Sequence, residues 1–338
     1  EGDPHLIIEG MAIGAYAIGA SKGIIYVRGE YDLSIRRLEK AIEQAQMYGL
    51  LGENVLGSSF SFDIEVCAGA GAYVCGEETA LLESIEGNRG EPRFRPPYPA
   101  QKGLWGCPTS VNNVETLANI PTIIEKGADW FKAIGTPSSP GTKVFTLTGN
   151  IVNSGLIEVP MGITLREIIY EIGGGIPGGK KFKMAQTGGT SGGCLAEEHL
   201  DVPMDYDTLS QYGSSLGSGA LLIMDDSHCI VDLTKCFVKF FVHESCGQCT
   251  PCREGTTQLL KIVNLVSQGK ADEQTLTLLT RLSNTMQSSS LCALGQTAPV
   301  PVLSAFKHFW PEVEAHLHGR CPAGVCIVQK EADLNARN

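Results

Sequence analysis

Three cysteines stand three residues apart in Cys246-Gly-Gln-Cys249-Thr-Pro-Cys252, inside a turn that contains Gly247 and Pro251. That spacing lets three sulfurs converge on one side of a compact object, and a 4Fe-4S cluster takes four thiolates. Cys292, in Ser290-Leu-Cys-Ala-Leu-Gly295, is the candidate fourth ligand. Zinc competes for such a set, because four thiolates also complete its tetrahedral shell. Zinc ribbons usually present two separate Cys-x-x-Cys pairs, so three consecutive ligands with a remote fourth favour iron and sulfide. Thr250 and Pro251 shape the turn, and Arg253 sets a positive charge near the sulfurs, where it bears on the potential.

A second group is less complete. His316, Cys321 and Cys326 follow one another at intervals of five residues. They suit zinc but leave its shell one ligand short unless another segment supplies it. The bland alternative is two unconnected tail thiols. The other six cysteines, Cys67, Cys75, Cys107, Cys194, Cys229 and Cys236, are scattered and read as core thiols.

Carboxylates and glycines meet in Cys67-Ala-Gly-Ala-Gly-Ala-Tyr73-Val-Cys-Gly76-Glu77-Glu78-Thr-Ala80. The glycine spacing is not the dinucleotide fingerprint and alone is weak support for a nucleotide site. Glu77 and Glu78 in a first helical turn favour the helix dipole, which is sufficient reason for their presence. They would also repel a phosphate. A nucleotide here must therefore offer them hydroxyl or amide groups and turn its ring system to neutral backbone. Downstream, Pro92-Arg-Phe-Arg95-Pro-Pro-Tyr98-Pro99 is a stiff basic and aromatic loop suited to a phosphate and an adenine, and Asn112-Asn113 supplies amides for a phosphate or sugar.

These residues need elements to hold them. A helix over 5–20, a buried strand over 23–28, an amphipathic helix over 33–48 and a strand over 62–66 lead to the glycine turn and a helix from about Glu77, an α/β pattern. Strands at 143–147, 156–159 and 220–224, with a capping box at Thr164-Leu-Arg-Glu167, make a small α+β unit. Helices over 230–242, 256–267, 274–286 and 302–316 form a bundle. The expected domains are 1–140, 141–226 and 227–318, with a tail at 319–338.

Composition narrows the function classes. The 338 residues carry 26 Lys plus Arg against 37 Asp plus Glu, and this acidity, without a basic stripe, argues against nucleic acid. A hydrophobic content of 43% excludes a disordered chain. No apolar run approaches the ~18 residues of a membrane span. Charged residues make up only 19%, which fits a surface covered by other subunits. Twelve clustered cysteines without a secretory signal point to a reducing compartment, the cytoplasm.

The segments 71–80, 92–100, 112–116 and 244–255 resemble the flavin-bearing, NADH-reacting subunit of respiratory complex I, with relatives in NAD-dependent hydrogenases and formate dehydrogenases. The resemblance spans essentially the whole chain. It implies an FMN-binding α/β domain, a ubiquitin-like β-grasp domain of the soluble-ligand-binding type, and a helical bundle carrying one 4Fe-4S cluster. It places Tyr73, Gly76, Glu77, Asn112 and Asn113 along FMN, Glu78 near the nicotinamide end of NADH, and Arg95 and Tyr98 where relatives have Lys and Phe around the dinucleotide. Cys246, Cys249, Cys252 and Cys292 match the cluster ligands.

Two departures qualify it. The family's glycine-rich flavin loop and its NADH-stacking aromatics precede the point where this sequence opens, so part of the flavin pocket is expected to be missing. The tail Cys321-Pro-Ala-Gly-Val-Cys326 is closer to the hydrogenase and formate dehydrogenase relatives, in which a ferredoxin-like extension follows; a fourth zinc ligand is expected to be missing with it. The implied partners are a thioredoxin-like 2Fe-2S subunit, an [FeFe] hydrogenase catalytic subunit and, where bifurcation occurs, ferredoxin. The alternatives are a complex I or formate dehydrogenase flavin subunit, or a scaffold that transfers electrons without catalysis of its own.

Overall fold

Asp3 opens the first helix, α1 (Pro4–Ile18), by accepting the Leu6 N–H at 3.3 Å, and Pro4 stands where no backbone donor is needed. Strand β1 (Lys22–Arg28) and strand β2 (Asp63–Gly69) pair in parallel, Ile25 opposite Val66, with helix α2 (Asp32–Met47) as the connection. Leu38, Ala41, Ile42 and Ala45 recur at helical spacing on α2 and are buried with Ile8, Ile25, Phe62 and Ile64. Helix α3 (Glu78–Ile85) follows β2 through a tight turn, and α4 (Val114–Lys126) packs on α1. Gly10 makes that last contact feasible, since a Cβ there would lie 2.0 Å from the Leu117 carbonyl oxygen. The computed structural model describes residues 1–327 and divides the chain into two compact units, Glu1–Phe131 and Lys132 onward.

The second unit begins with a five-stranded sheet, β3 (Thr142–Gly149), β4 (Gly155–Pro160), β5 (Phe182–Thr187), β6 (Cys194–Leu195) and β7 (Ala220–Asp225), in the order β4-β3-β7-β5-β6. The first and last strands are neighbours and parallel, each flanked by an antiparallel partner, which is the β-grasp arrangement. The box at Thr164 forms: Glu167 accepts the Thr164 N–H at 2.9 Å and the Thr164 hydroxyl accepts the Glu167 N–H at 3.2 Å. The helical turn it opens buries Leu165, Ile168 and Ile169 against Phe145, Leu147 and Ile223. Strands β5 and β6 escape the sequence reading because β5 is buried almost throughout and lacks alternation, while β6 is two residues long.

The bundle comprises α5 (Ile230–Glu244), α6 (Thr250–Ser267), α7 (Glu273–Ser289), α8 (Val300–His308) and α9 (Trp310–Leu317). Helix α6 starts six residues before the periodicity suggests, with Pro251 in its first turn, so Cys252 is already helical. The expected single helix over 302–316 is two, broken at Phe309, because Pro311 lacks the N–H that a continuous helix would use. Sheet and bundle pack as one unit. The Cys194 N–H donates to Ser304 Oγ at 2.9 Å, and Lys183 Nζ reaches Glu312 Oε2 at 2.6 Å while Glu312 Oε1 accepts the Ile230 N–H at 2.9 Å. No helix among the described residues is long and apolar enough to cross a membrane.

Asp225, 1% exposed at the end of β7, ties the strand to the start of α5. It accepts from the Ser227 N–H at 3.0 Å, from the Ser227 hydroxyl and from His228 Nδ1 at 3.1 Å, and pairs with Lys180 Nζ at 3.1 Å. Burial pushes its carboxyl upward, but these bonds outweigh that and hold it below the ordinary carboxylate range. A depressed folded value adds stability above the unfolded pKa of ~3.9 and loses it as pH falls toward the folded one. Denaturant titrations from pH 6 to pH 2 should show this loss on the acid side, and Asp225→Asn should cost ~3 kcal/mol at neutral pH.

Candidate functional site

The turn after β2 is built so that its backbone is open and its carboxylates are not. Tyr73 and Gly76 bound a single tight helical turn, and a Cβ on Gly76 would meet nothing within 4 Å. Glu77 caps α3: Oε2 accepts the N–H groups of Thr79 at 2.9 Å and Ala80 at 3.0 Å, together with the Thr79 hydroxyl. Its other oxygen accepts from Arg95 Nη2 at 2.5 Å, and Arg95 Nη1 donates to Glu78 Oε1 at 2.7 Å. One guanidinium thus bridges two adjacent carboxylates.

Arg93 anchors the loop that carries Arg95. Its N–H donates to Thr79 Oγ1 at 2.8 Å, and its guanidinium donates to Glu83 Oε1 at 2.5 Å, Glu86 Oε2 at 2.7 Å and the Gly103 carbonyl at 3.1 Å. Burial pushes Glu86 up, but the bonds from Arg93 and from the Trp105 N–H hold it below its ordinary value. Glu83 and Glu86 lie three residues apart, on one face of the helix end, which is the sequence signal that could have singled out this clamp.

The structure therefore brings Glu77, Glu78 and Arg95 into one ion-pair network. Tyr98 stands three residues beyond Arg95, half exposed at the head of a short turn, where its N–H donates to Gln101 Oε1 at 3.2 Å. Asn112 and Asn113 are outside the network. They stand exposed at the start of α4, where Asn112 Nδ2 donates to Ser110 Oγ at 2.9 Å and Asn113 occupies the N-cap without a side-chain capping bond. Open backbone at Gly76 beside oriented carboxylates fits a flat, hydrogen-bonding ring system.

In the second unit, Cys246, Cys249 and Cys252 lie on the turn from α5 into α6, and Cys292 precedes a short helix after α7. Burial pushes the Cys252 thiol up to about 11; the Ser245 hydroxyl opposes this, and Cys249, Cys292 and Cys246 add their charge. Cys252 therefore feels all three of its sequence-predicted companions. Arg253 holds the turn by donating to the Gly247 carbonyl at 2.6 Å.

Cys229, His316, Cys321 and Cys326 place their ligand atoms within 4.8 Å of one another. Cys229 Sγ lies 3.3 Å from His316 Nε2 and 3.5 Å from Cys326 Sγ. The expectation that a fourth candidate ligand lies beyond the sequence is corrected here: the chain itself brings Cys229, read from the sequence as a core thiol, to the group. Nothing local marks it, since it immediately precedes an ordinary amphipathic helix and lies 87 positions before His316. His316 Nδ1 lies 2.7 Å from the Glu312 carbonyl; donation there leaves the Nε2 lone pair facing the sulfurs. Burial pushes Cys326 up to about 11, whereas backbone N–H groups of Cys326 and Val325 overcome burial at Cys321 and lower it.

Comparison with known proteins follows this geometry region by region. Residues 1–122 match the Nuo51 FMN-binding domain, 144–195 the SLBB domain, and 232–316 the iron-sulfur binding region of NADH-ubiquinone oxidoreductase-F. The NADP-reducing hydrogenase subunit HndC of Solidesulfovibrio fructosivorans is 57% identical over 327 residues, 96% of this chain and 67% of that protein. The chain belongs to the NADH-quinone oxidoreductase F family. The family's member in Mycobacterium bovis is 48% identical over 320 residues, 94% of this chain and 72% of that one. An NAD+-reducing [NiFe]-hydrogenase crystal structure superposes with a TM-score of 0.83 at 36% identity, covering 98% of this chain and 55% of its own. The chain thus spans about half of that solved relative. As a member of this family the chain carries a region matching an FMN-binding domain and one matching an iron-sulfur binding region, and the latter includes the four cysteines on the α5–α6 and α7 ends.

The clamp on α3 is open to a direct test. Arg93→Gln removes three charge-assisted bonds and should lower stability by ~2–3 kcal/mol in chemical denaturation. Arg93→Lys should recover less than half of that, because an ammonium cannot reproduce the fork to Glu83 and Glu86.

Proposed function

We propose that this chain is the diaphorase subunit of a cytoplasmic hydrogenase complex, exchanging hydride between NAD(H) and FMN and passing single electrons onward through the 4Fe-4S cluster. One observation carries the reading: a single chain matches an FMN-binding domain over residues 1–122 and an iron-sulfur binding region over 232–316, the second of which includes Cys246, Cys249, Cys252 and Cys292. Bound flavin supplies the conversion of a two-electron hydride transfer into single-electron steps. The chain's share is positioning and electrostatics.

In this reading Tyr73, Gly76, Glu77, Asn112 and Asn113 line the flavin, with Gly76 offering backbone and the asparagines offering amides. Glu78 orients the nicotinamide through its carboxamide; hydride transfer itself needs no protein base. Arg95 bridges Glu77 and Glu78, and so cancels charge that would repel an anionic dinucleotide. Tyr98 provides an exposed ring beside it. Electrons then pass to or from a thioredoxin-like 2Fe-2S subunit and an [FeFe] hydrogenase catalytic subunit. Ferredoxin is the second partner that bifurcation would require. The 57% identity to a hydrogenase subunit, against 48% to a quinone oxidoreductase subunit, favours the hydrogenase setting.

Zinc completes the reading at Cys229, His316, Cys321 and Cys326. Its support is the compact set of ligand atoms and the carbonyl that orients His316. There it would be structural, tying the segment after α9 to the start of α5.

The full-length subunit should bind FMN and reduce an artificial acceptor with NADH; an intact, flavin-loaded subunit that is silent in this assay would overturn the proposal in favour of the scaffold. Glu78→Gln should slow flavin reduction by about 10²-fold in stopped flow with FMN content unchanged. Cys249→Ser should leave flavin reduction by NADH in place and stop transfer to the partner subunit. Elemental analysis should find about one zinc per chain, lost in Cys229→Ser while iron is retained.

A further inference from the structure

Two hydroxyls stand at the cysteine cluster outside the ligand set, and one of them has no partner at all among the described residues. Ser245 Oγ lies 3.3 Å from Cys252 Sγ and also accepts the Gly247 N–H at 3.3 Å. A cysteine bound to iron is a thiolate with no proton, so the serine must be the donor in the O–H···S contact, and the Gly247 bond turns its lone pair away from the sulfur. Ser290 is the more telling of the pair. It is 6% exposed, and its Oγ is buried without a hydrogen-bond partner among the described residues. Its backbone is fully used, the N–H donating to Met286 and the carbonyl accepting from Gln296 Nε2 at 2.9 Å.

Ser290 stands close to one ligand cysteine. A Cβ on Gly295 would fall 2.6 Å from Ser290 Oγ and 2.8 Å from Cys252 Cβ, so the hydroxyl and a ligand cysteine crowd the same point. A buried hydroxyl left unpaired costs roughly 1–3 kcal/mol, and the described residues provide no acceptor. The residues fit a group whose sulfurs accept what the protein leaves over.

We propose that Ser245 and Ser290 donate hydrogen bonds to the sulfurs of the 4Fe-4S cluster, Ser245 to Cys252 Sγ and Ser290 to a sulfur facing it, and that they thereby raise its reduction potential. Reduction adds one electron, taken from the flavin in turnover or from dithionite in titration, so the cluster carries one more negative charge. Donors aimed at its sulfurs stabilise that state more than the oxidised one. Both serines act through the cluster's charge and are positioning residues.

This inference rests on the cluster assignment, and the two can fail separately. If the unmutated protein lacks iron, sulfide and a reduced-state EPR signal, the assignment itself is wrong. With the cluster present, EPR-monitored potentiometric titration of the full chain should place Ser290→Ala and Ser245→Ala at lower midpoints than the parent. The expected size is a roughly tenfold smaller reduced-to-oxidised ratio at a fixed potential, or about 59 mV for one electron. Ser290→Thr, which keeps the hydroxyl, should stay near the parent value. An unchanged midpoint in Ser290→Ala with intact iron and sulfide overturns the role of Ser290, as does an equal drop in Ser290→Thr. Should Ser290→Ala fail to hold its cluster, Ser290→Cys decides: a thiol is a far weaker donor, so its midpoint must fall, and an unchanged one refutes the assignment.

Discussion

Crowding of negative charge is the constraint on which both units depend. Cys252 is buried among Cys246, Cys249 and Cys292, and ionising all four without a counter-charge would set like charges against one another in a medium poor in water. The same difficulty recurs at Cys229, Cys321 and Cys326, and, among carboxylates, at Glu77, Glu78, Glu83 and Glu86. The molecule resolves it differently in each place. Carboxylates receive arginine forks that the chain carries itself, whereas the thiols gather where a metal or a cluster can supply the charge.

That difference matches function to element. Arg93 and Arg95 come from one stiff proline-rich loop and divide the four carboxylates between them, Arg93 with Glu83 and Glu86, Arg95 with Glu77 and Glu78. Arg93 is half-buried and locked by the Gly103 carbonyl and the Thr79 hydroxyl, so the loop is fastened two residues before the position from which Arg95 reaches its partners. Glu77 belongs both to the helix cap and to the arginine bridge, which couples the start of α3 to the orientation of Arg95. The open backbone at Gly76 lies directly before this charged group.

In the second unit the β-grasp sheet supports the bundle at the start of α5, beside Cys229 and His316. Lys183 on β5 reaches Glu312, Glu312 receives the first N–H of α5, and the Glu312 carbonyl orients His316. One residue thus joins strand, helix start and His316. Asp225 anchors the approach to Cys229 in the same way, so two ion pairs drawn from the sheet fix the segment that delivers a thiol to the tail.

Local pattern carried much of this. Helix α2, strands β3 and β7 and the Thr164 box are legible because periodicity and capping are short-range, and the iron-sulfur region because three of its cysteines are neighbours in the chain. The family resemblance rests on the same contiguous motifs. Tertiary structure alone decided the rest. Cys229 joins His316 across 87 positions, and the break at Phe309 brings α9 back to α5. Arg95 settles between Glu77 and Glu78, two carboxylates to which the family resemblance gives separate tasks. Spacing along a chain reports which residues share a face of one element. It says nothing of which elements meet, because that depends on burial and charge balance summed over the whole fold.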